Sequence, residues 1–490
     1  MSDDGYGELA ELYPLVKDRK FEGETEGFKR AKAAGKRFRE EFTKLGKLKY
    51  ERVLGFGGFG MVQLWSLLDD DGRATGRSVA VKLPTRGGSR KHADTTRWEM
   101  HYMGLVFRNL DHFVQLVDVE KNTPEAQRLT NNNAVAQPVL VMEALQKCNL
   151  FELISWINES REAYVQVQDE GRMDFPFFMN CKLGYVPNRV MWKFFWCLLK
   201  GVVGMAYPNE GNAGLPSVDG TSVREMIPPE DPDRTRPEPS TIIHFDLDPQ
   251  NVLVGDLDIS EHRHIPKLKA RSLLVADFGL TLRWRNRWND HIKTSRIERG
   301  KPTWYAPEQR NPMRATDPHY HIGWELNVWA IGLTMFNLLT LSHPVPNEDW
   351  FPQPRVVQSP RGDIVVETYG WFLIQPPPPN PAMAPDPTIY MERYDFTLRS
   401  LIARCMADDT NDRPDFHEIW TACMLGIAET DTRKNFNQEN AALLSVGGDH
   451  YDPMIVPEVE SDEIVHKFYQ DYFVNPPARA DPYAGRWSDQ

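Results

Sequence analysis

The sequence has few cysteines, and their spacing matches neither a zinc site nor a disulfide framework. The chain of 490 residues contains five, with no Cys-x-x-Cys pair among them: Cys148, Cys181, Cys197, Cys405 and Cys423. An odd number of widely separated thiols is typical of proteins in a reducing compartment. We therefore predict an intracellular protein, cytoplasmic or nuclear, with reduced cysteines.

The sequence also lacks an apolar run long enough for a membrane span. The most apolar stretch, Leu326–Leu341, has 16 residues and includes two asparagines, whereas a spanning helix needs about 20 apolar residues. The opening residues MSDDGYGELAELYP are acidic and have no apolar signal-peptide core. We expect a soluble chain in which residues 326–341 form a buried helix.

Basic residues are outnumbered by acidic ones. The chain carries 57 Lys and Arg against 69 Asp and Glu, a formal net charge of -12. Because proteins that bind nucleic acid usually show a basic footprint, we predict no nucleic-acid partner. Two segments are nevertheless basic: residues 27–49, where apolar residues recur at helical spacing, and residues 280–301. For the first, a helix packed on the following domain is favoured over a membrane or partner site.

The chain changes from β-like runs to helical periodicity near residue 144. Earlier runs such as SVAVKL and HFVQLVDV (112–119) are rich in strand formers, and one helical stretch lies at 95–110. Later segments such as 188–205 and 325–341 have helical periodicity. Polar or Pro-rich insertions are predicted at 121–137, 160–187, 209–240, 255–269 and 345–387. The pattern indicates a small β-rich lobe followed by a larger helical lobe.

A glycine-rich run is the first motif that suggests phosphate binding. In Gly55-Phe-Gly57-Gly-Phe-Gly60-Met-Val62, the glycines let backbone N–H groups approach phosphate oxygens without a Cβ in the way. The strand formers MVQLW follow, whereas a dinucleotide-binding turn leads into a helix. The sequence therefore favours a β-hairpin lid over phosphates.

Charged and amide residues follow in an order that suits phosphate and metal chemistry. Lys82 ends the strand-like SVAVK and, if buried beneath the lid, needs an anionic partner, which Glu99 in the next helical stretch can supply. The segment from His244 to Asn251, HFDLDPQN, precedes the triplet Asp277-Phe-Gly. Its Asp246 could orient a hydroxyl, while the oxygens of Asn251 and Asp277 suit Mg²⁺.

In this order the motifs resemble those of the eukaryotic protein kinases, over roughly residues 50–428. The resemblance implies an α+β, bilobal protein kinase fold with a small β-rich N-lobe and a larger helical C-lobe. The loop HFDLDPQN and the long insertions are similar to divergent, fungal-type members. The implied parts are an N-terminal extension (1–49), the N-lobe and hinge (50–145), the C-lobe (146–430) and an acidic tail (431–490).

The resemblance also implies roles for individual residues. Catalytic roles fall to Lys82, Glu99 and Asp246, with Asn251 and Asp277 as ligands of Mg²⁺, which Mn²⁺ could replace. The implied ATP-binding residues are Gly55, Gly57, Gly60, Val62, Ala80, Lys82, Met142, Glu143, Leu145 and Leu253. In addition, Glu308 of Ala306-Pro-Glu308 is expected to pair with Arg413. Asn327 stands where the family usually has an Asp that holds the catalytic loop.

Three positions depart from the family's pattern. Phe245 replaces an Arg that usually pairs with a phosphate on the activation loop, so we expect activity without that phosphorylation. Asp248 replaces a Lys that steadies the transferring phosphate, and Lys301 replaces a Thr. We predict that Lys301 contacts Asp248 and restores the cation. The basic residues 280–301 could bind an acidic protein substrate, bind the chain's own acidic tail, or form a solvated charge run.

The expected function is transfer of the γ-phosphate of ATP to a protein hydroxyl. Asp248-Pro-Gln-Asn251 is closer to the serine/threonine pattern than to tyrosine-kinase loops. The three departures leave open a pseudokinase that binds ATP or partners as a scaffold. A small-molecule phosphotransferase, which shares the catalytic loop, is disfavoured by the glycine-rich loop, Ala306-Pro-Glu308 and Arg413. The sequence does not indicate an oligomeric state.

Overall fold

The computed structural model covers much of the chain between residues 26 and 477. The described residues are 26–43, 46–57, 60–83, 90–117, 139–145, 147–169, 182–208, 224–229, 237–255, 257–258, 267–268, 272–342, 350–374, 394–432 and 462–477. They form a small β-rich part followed by a larger helical part, as the sequence predicts. The predicted insertion at 121–137 lies outside the described residues.

The small lobe is built on an antiparallel sheet of four strands in sequential order. These strands are β1 (Leu48–Gly57), β2 (Gly60–Leu68), β3 (Ala74–Leu83) and β4 (Leu140–Glu143). Their inward residues Trp65, Val79 and Val81 form an apolar core with Phe42 of helix α1 (Glu26–Thr43). The predicted basic helix therefore packs on the sheet through its apolar side.

A helix and an irregular segment connect β3 to β4. Helix α2 (Arg90–His101) continues into one π-helical turn, Tyr102–Val106. The prediction of a strand from residue 112 is wrong for the described residues: Phe113 and Leu116 make only isolated bridges. The reason is that this backbone is divided between the two lobes: Val114 N donates to Val275 O at 3.0 Å, whereas Val117 N donates to Val141 O on β4 at 2.9 Å.

The large lobe is mainly helical. Its helices are α3 (Leu150–Asp169), α4 (Asn188–Ala206), α5 (Asp290–Ile297), α6 (Pro307–Arg310), α7 (Trp324–Thr340), α8 (Phe396–Cys405) and α9 (Phe416–Thr432). Helices α4 and α7 are buried on nearly all sides; α7 is apolar nearly all round, whereas α4 also carries Arg189, Lys193 and Lys200. Among the described residues, no helix combines the length and apolarity that crossing a membrane requires.

Short two-stranded ribbons hold the loops between these helices. The pairs are β5 (Ile242–Ile243) with β10 (Leu282–Arg283), β6 (Val252–Val254) with β9 (Leu273–Val275), and β7 (Leu257–Asp258) with β8 (Lys267–Leu268). The loop between β5 and β6 carries residues 244–251, and the loop after β9 carries Asp277. The β6–β9 pairing thus brings the two acidic motifs together.

Two structured elements lie where the sequence predicts insertion or tail. The segment 345–387 contains a hairpin, β11 (Gln353–Ser359) and β12 (Gly362–Thr368), which packs against α8. Helix α10 (Asp462–Tyr469) and the π-helical turn Gln470–Val474 lie within the predicted tail, and they bury large aromatic side chains. Lys147 and Lys182 fix this segment by donating to the carbonyls of Phe473 and Asn475 at 3.2 and 2.5 Å.

Candidate active site

A buried cation between two carboxylates marks the junction of the lobes. Lys82 Nζ lies 2.9 Å from Glu99 Oε2 on α2 and 2.8 Å from Asp277 Oδ1 after β9. Burial opposes the charge on Lys82, but Asp277 and Glu99 outweigh it and raise its pKa well above the usual range. The predicted contact between Lys82 and Glu99 is confirmed, and Asp277 joins it.

The glycine-rich run forms the predicted β-hairpin. Strands β1 and β2 pair up to Gly57 and Gly60. At Gly60 the hairpin approaches β3 so closely that a Cβ would lie 2.5 Å from the Leu83 carbonyl oxygen. No side chain can be added there without displacing backbone, which explains glycine at this position. Val62 pairs with Lys82 across the sheet, so the hairpin lies beside the buried cation.

The predicted adenine-binding residues lie on adjoining elements. Ala80 on β3 pairs with Met142 on β4, and Leu253 on β6 is partly buried against the large-lobe core. Glu143 ends β4 and is anchored to Gln115: its backbone N–H donates to the Gln115 carbonyl at 3.0 Å, and its carboxylate accepts from Gln115 N at 2.9 Å. Leu145 follows and packs against the same core.

The loop from His244 to Asn251 is held by hydrogen bonds from helix α7. Asn327 on α7 accepts from His244 N at 3.0 Å and donates to the Ile242 carbonyl at 2.8 Å. The amide thus makes two tethers, whereas a carboxylate could accept from His244 N but could not donate to the Ile242 carbonyl. Burial lowers the pKa of His244 to about 4, which keeps its ring neutral. Asn327 therefore holds the backbone of this loop without a charge.

Asp246 lies at the centre of this loop. Asn251 Nδ2 donates to the backbone carbonyl of Asp246 at 2.7 Å and to its carboxylate at 2.9 Å. Burial raises the pKa of Asp246 to about 7, although nearby Lys301 opposes the rise. A carboxylate that titrates near neutral pH is suited to accept a proton from a hydroxyl.

Oxygen donors for a divalent cation adjoin Asp246. The backbone N–H of Ala276 donates to the Asn251 carbonyl at 2.9 Å, so Asn251 lies beside the strand that leads to Asp277. Burial alone would raise the pKa of Asp277, but Lys82 outweighs it and holds the carboxylate ionised. No cluster of three His, Cys, Asp or Glu occurs among the described residues. A carboxylate and an amide oxygen nonetheless fit Mg²⁺, which takes few protein ligands and retains water.

The activation-segment lysine reaches the loop as predicted. Lys301 Nζ bonds to the Asp248 carboxylate, lies 3.0 Å from Gln250 Oε1 and lies 3.9 Å from Asp246 Oδ1. Burial raises the pKa of Asp248, and Lys301 limits that rise. The hypothesised contact is therefore confirmed, with Gln250 as an additional partner that the sequence analysis missed.

The segment from Leu280 to Lys301 is ordered by contacts within the chain. Trp284 extends the β5–β10 ribbon, donating to the Thr241 carbonyl at 2.9 Å and accepting from Thr241 Oγ1 at 2.7 Å. Asn289 caps α5 by accepting from Ile292 N at 2.9 Å. Phe245, where the family's Arg would stand, is packed against the apolar core.

One glycine allows the activation segment to meet the catalytic loop. Gly300 has φ of +96°, and a Cβ there would lie 1.9 Å from the carbonyl oxygen of Phe245. Phe245 itself has φ of 65°. This close approach brings Lys301, the next residue, to Asp248. The motifs do not indicate Gly300, although its place directly before the replaced Thr is a usable signal.

Buried ion pairs hold the remaining landmarks. Glu308 on α6 accepts from both terminal nitrogens of Arg413 at 2.7 and 2.8 Å, and both side chains are fully buried. This predicted pair is confirmed. An unpredicted pair joins His112, before β4, to Glu225, with Nδ1 2.8 Å from the carboxylate.

Comparison with known proteins agrees with this geometry. Residues 239–423 match the family model described as the protein kinase domain. That range includes the catalytic loop, Asp277 and the Glu308–Arg413 pair. No curated protein matches the chain in sequence. The small lobe lies before the matched residues, and its fold is the β-rich part of the bilobal arrangement described above. The chain therefore contains a protein kinase domain within residues 239–423, and this match supports membership of the protein kinase superfamily.

Proposed function

We propose that this chain is an active protein kinase that transfers the γ-phosphate of ATP to serine or threonine hydroxyls of protein substrates. The observation that carries the proposal is the pair of contacts of Lys82, with Glu99 and with Asp277. Protein kinases need the Lys–Glu pair and the metal-binding Asp in place at the same time. Here the chain's own side chains hold both.

Each residue of the site then has a distinct task. The hairpin of Gly55, Gly57 and Gly60 covers the phosphates, and Lys82 binds them as a charge that Glu99 positions. Ala80, Val62, Met142, Glu143, Leu145 and Leu253 form the proposed adenine site. Asp246 orients the hydroxyl and accepts its proton, since its raised pKa places proton transfer near neutral pH.

Asp277 and Asn251 are the proposed ligands of Mg²⁺. When bound, Mg²⁺ neutralises phosphate charge and aligns the phosphates for in-line transfer. Asp277 is suited to this task because Lys82 keeps it ionised despite burial. The side-chain N–H groups of Asn251 donate to Asp246. The amide oxygen of Asn251 is not used in these two bonds and is the atom proposed to bind Mg²⁺.

Lys301 is proposed to steady the transferring phosphate in place of the family's catalytic-loop Lys. Its ammonium lies within 3.9 Å of Asp246 and is anchored by Asp248 and Gln250. We further propose that the site needs no activation-loop phosphate, since Phe245 cannot bind one and Trp284 and Asn289 already order the segment.

The direct test is Mg-ATP turnover on a peptide array, followed by phosphoamino-acid analysis. We expect phosphoserine or phosphothreonine, and loss of signal in Asp246→Ala. Transfer only to tyrosine would overturn the hydroxyl assignment.

A pseudokinase is the second candidate, because Asp248 places an acid where the family has a phosphate-steadying Lys. ATP binding without transfer, with equal labelling of wild type and Asp246→Ala, would establish that alternative.

A further inference from the structure

The activation segment is positively charged, although the protein as a whole is acidic. Residues 280–301 contain seven Lys and Arg against two acidic residues, a local net charge of +5 in a chain of net charge -12. The members of this basic segment are Arg283, Arg285, Arg287, Lys293, Arg296, Arg299 and Lys301. Such a concentration of one sign attracts ligands of the opposite sign.

The basic segment borders the residue that would meet the substrate hydroxyl. Its end lies against the catalytic loop, where Gly300 contacts the Phe245 carbonyl and Lys301 lies 3.9 Å from Asp246 Oδ1. Arg299 is anchored just before this point, since its guanidinium donates to the Leu280 carbonyl at 3.3 Å. A peptide that presents a hydroxyl to Asp246 therefore passes beside the basic segment.

Three of these seven charges are exposed and available to a ligand. Arg285, Arg287 and Arg296 are exposed, and no ion pair within the described stretches includes any of the three. Burial and the proximity of Arg296 both lower the pKa of Arg299, so like charges repel one another here. Repulsion of this kind is relieved by an anionic ligand.

The fold does not depend on these arginines. The segment is held by the β5–β10 ribbon, by the edge-to-face contact of Trp284 with Trp288 at 5.4 Å, and by the Asn289 cap. The described part of the acidic tail binds elsewhere, since Asp471 accepts from Leu183 N at 2.9 Å and from Lys467. Residues 462–477 of the tail are therefore engaged away from the basic segment, which supports an external anion as its ligand.

From these observations we infer that the basic segment recognises protein substrates with anionic residues, either Asp and Glu or previously phosphorylated side chains, flanking the acceptor hydroxyl. The inference deepens the proposed kinase function and rests on it for the identity of the ligand as a substrate. The recognition surface consists of Arg285, Arg287 and Arg296, with Arg299 and Lys301 bordering the catalytic loop.

Binding to the full chain tests the surface without requiring catalysis. Fluorescent peptides of equal length carry one serine flanked by Glu, by phosphoserine or by Gln, and anisotropy gives their Kd. We expect the anionic peptides to bind at least about tenfold more tightly than the Gln peptide at low salt, and the difference to shrink as salt is added. Equal affinity for Gln and anionic peptides would overturn the inference.

Charge-removing variants locate the surface. Arg285→Gln, Arg287→Gln and Arg296→Gln combined should weaken anionic-peptide binding roughly tenfold and leave the Gln peptide unaffected. Arg361→Gln, which removes an exposed arginine from the β11–β12 turn, is the matched control and should change neither. A triple variant that still prefers anionic peptides would contradict the assignment. Comparable binding of a single-stranded RNA of similar charge would overturn the peptide as ligand.

Turnover separates this inference from the proposed function. If the anionic peptides bind as expected but no peptide is phosphorylated, the surface stands and the kinase proposal fails. If all peptides are phosphorylated with equal kcat/KM, the kinase proposal stands and the inference fails. Comparison of the Glu and phosphoserine peptides shows which anion is preferred.

Discussion

Replacing Lys301 by alanine is the most informative perturbation of this site. Lys301 lies 3.9 Å from Asp246 Oδ1 and bonds to Asp248. At that separation, two unit charges interact with about 1 kcal/mol in water and about 4 kcal/mol at an effective dielectric constant of about 20. Because the Lys301 side chain is 38% exposed, solvent screening favours the lower part of this range.

Two measurable effects follow from the loss of this cation. About 1.4 kcal/mol corresponds to one pKa unit, so the pKa of Asp246 should rise by about one unit in Lys301→Ala. Because Asp246 is the proposed base, activity should increase as pH rises through its pKa, and the inflection of kcat/KM should move to higher pH. If Lys301 also steadies the phosphate, kcat should fall by about 10²–10³-fold, by analogy with the loss of one oxyanion donor.

A pH–rate profile with saturating Mg-ATP measures both effects. Lys301→Arg keeps the charge and should keep the wild-type inflection. Lys49→Ala is a matched control, since Lys49 is an exposed lysine 3.6 Å from Glu51 on β1, and it should leave the profile unchanged. An unimpaired Lys301→Ala enzyme with an unshifted profile would refute the assignment of Lys301.

Three further predictions concern neighbouring contacts. The double variant Asp248→Lys with Lys301→Thr places the family's usual residues at both positions. It should have a higher initial rate than Asp248→Lys alone, because the single variant brings two lysines together. Equal rates of the two variants would contradict the proposed pairing. Arg413→Met should lower the free energy of unfolding in urea by about 3–5 kcal/mol, because Glu308 is left buried and unpaired, and Arg413→Met with Glu308→Leu should recover most of the loss. Gly300→Ala should lower kcat with little change in the KM for ATP, because a Cβ there would lie 1.9 Å from the Phe245 carbonyl oxygen. An unchanged kcat would show that the loop from His244 to Asn251 tolerates displacement of this carbonyl.

The sequence predicts those contacts that join motif residues. The pairs of Lys82 with Glu99, Glu308 with Arg413 and Lys301 with Asp248 were all expected from motif order and are present in the structure. Such pairs are predictable because a buried charge requires a partner of opposite sign.

Contacts outside the motifs could not be predicted in this way. His112 and Glu225 form a buried pair across 113 residues of sequence, and neither residue belongs to a periodic pattern or motif. The β11–β12 hairpin is not predicted because its segment is polar and Pro-rich as a whole. Within it, the exposed Val356 and Val365 pair across the hairpin, and each is followed by a buried valine, Val357 or Val366. Residues 112–117 look like a strand, but they make only isolated bridges, from Phe113 to Val275 of the large lobe and from Leu116 to Met142 on β4.

The proposed active site is completed by the chain's own side chains, without a phosphate on the activation segment. The most direct measurement is the initial rate of γ-phosphate transfer by full-length protein that phosphatase treatment and intact mass show to be unphosphorylated. We predict transfer that is linear from the first time point in wild type and absent in Asp246→Asn. No transfer by wild type, or a lag removed by prior phosphorylation, would contradict the account.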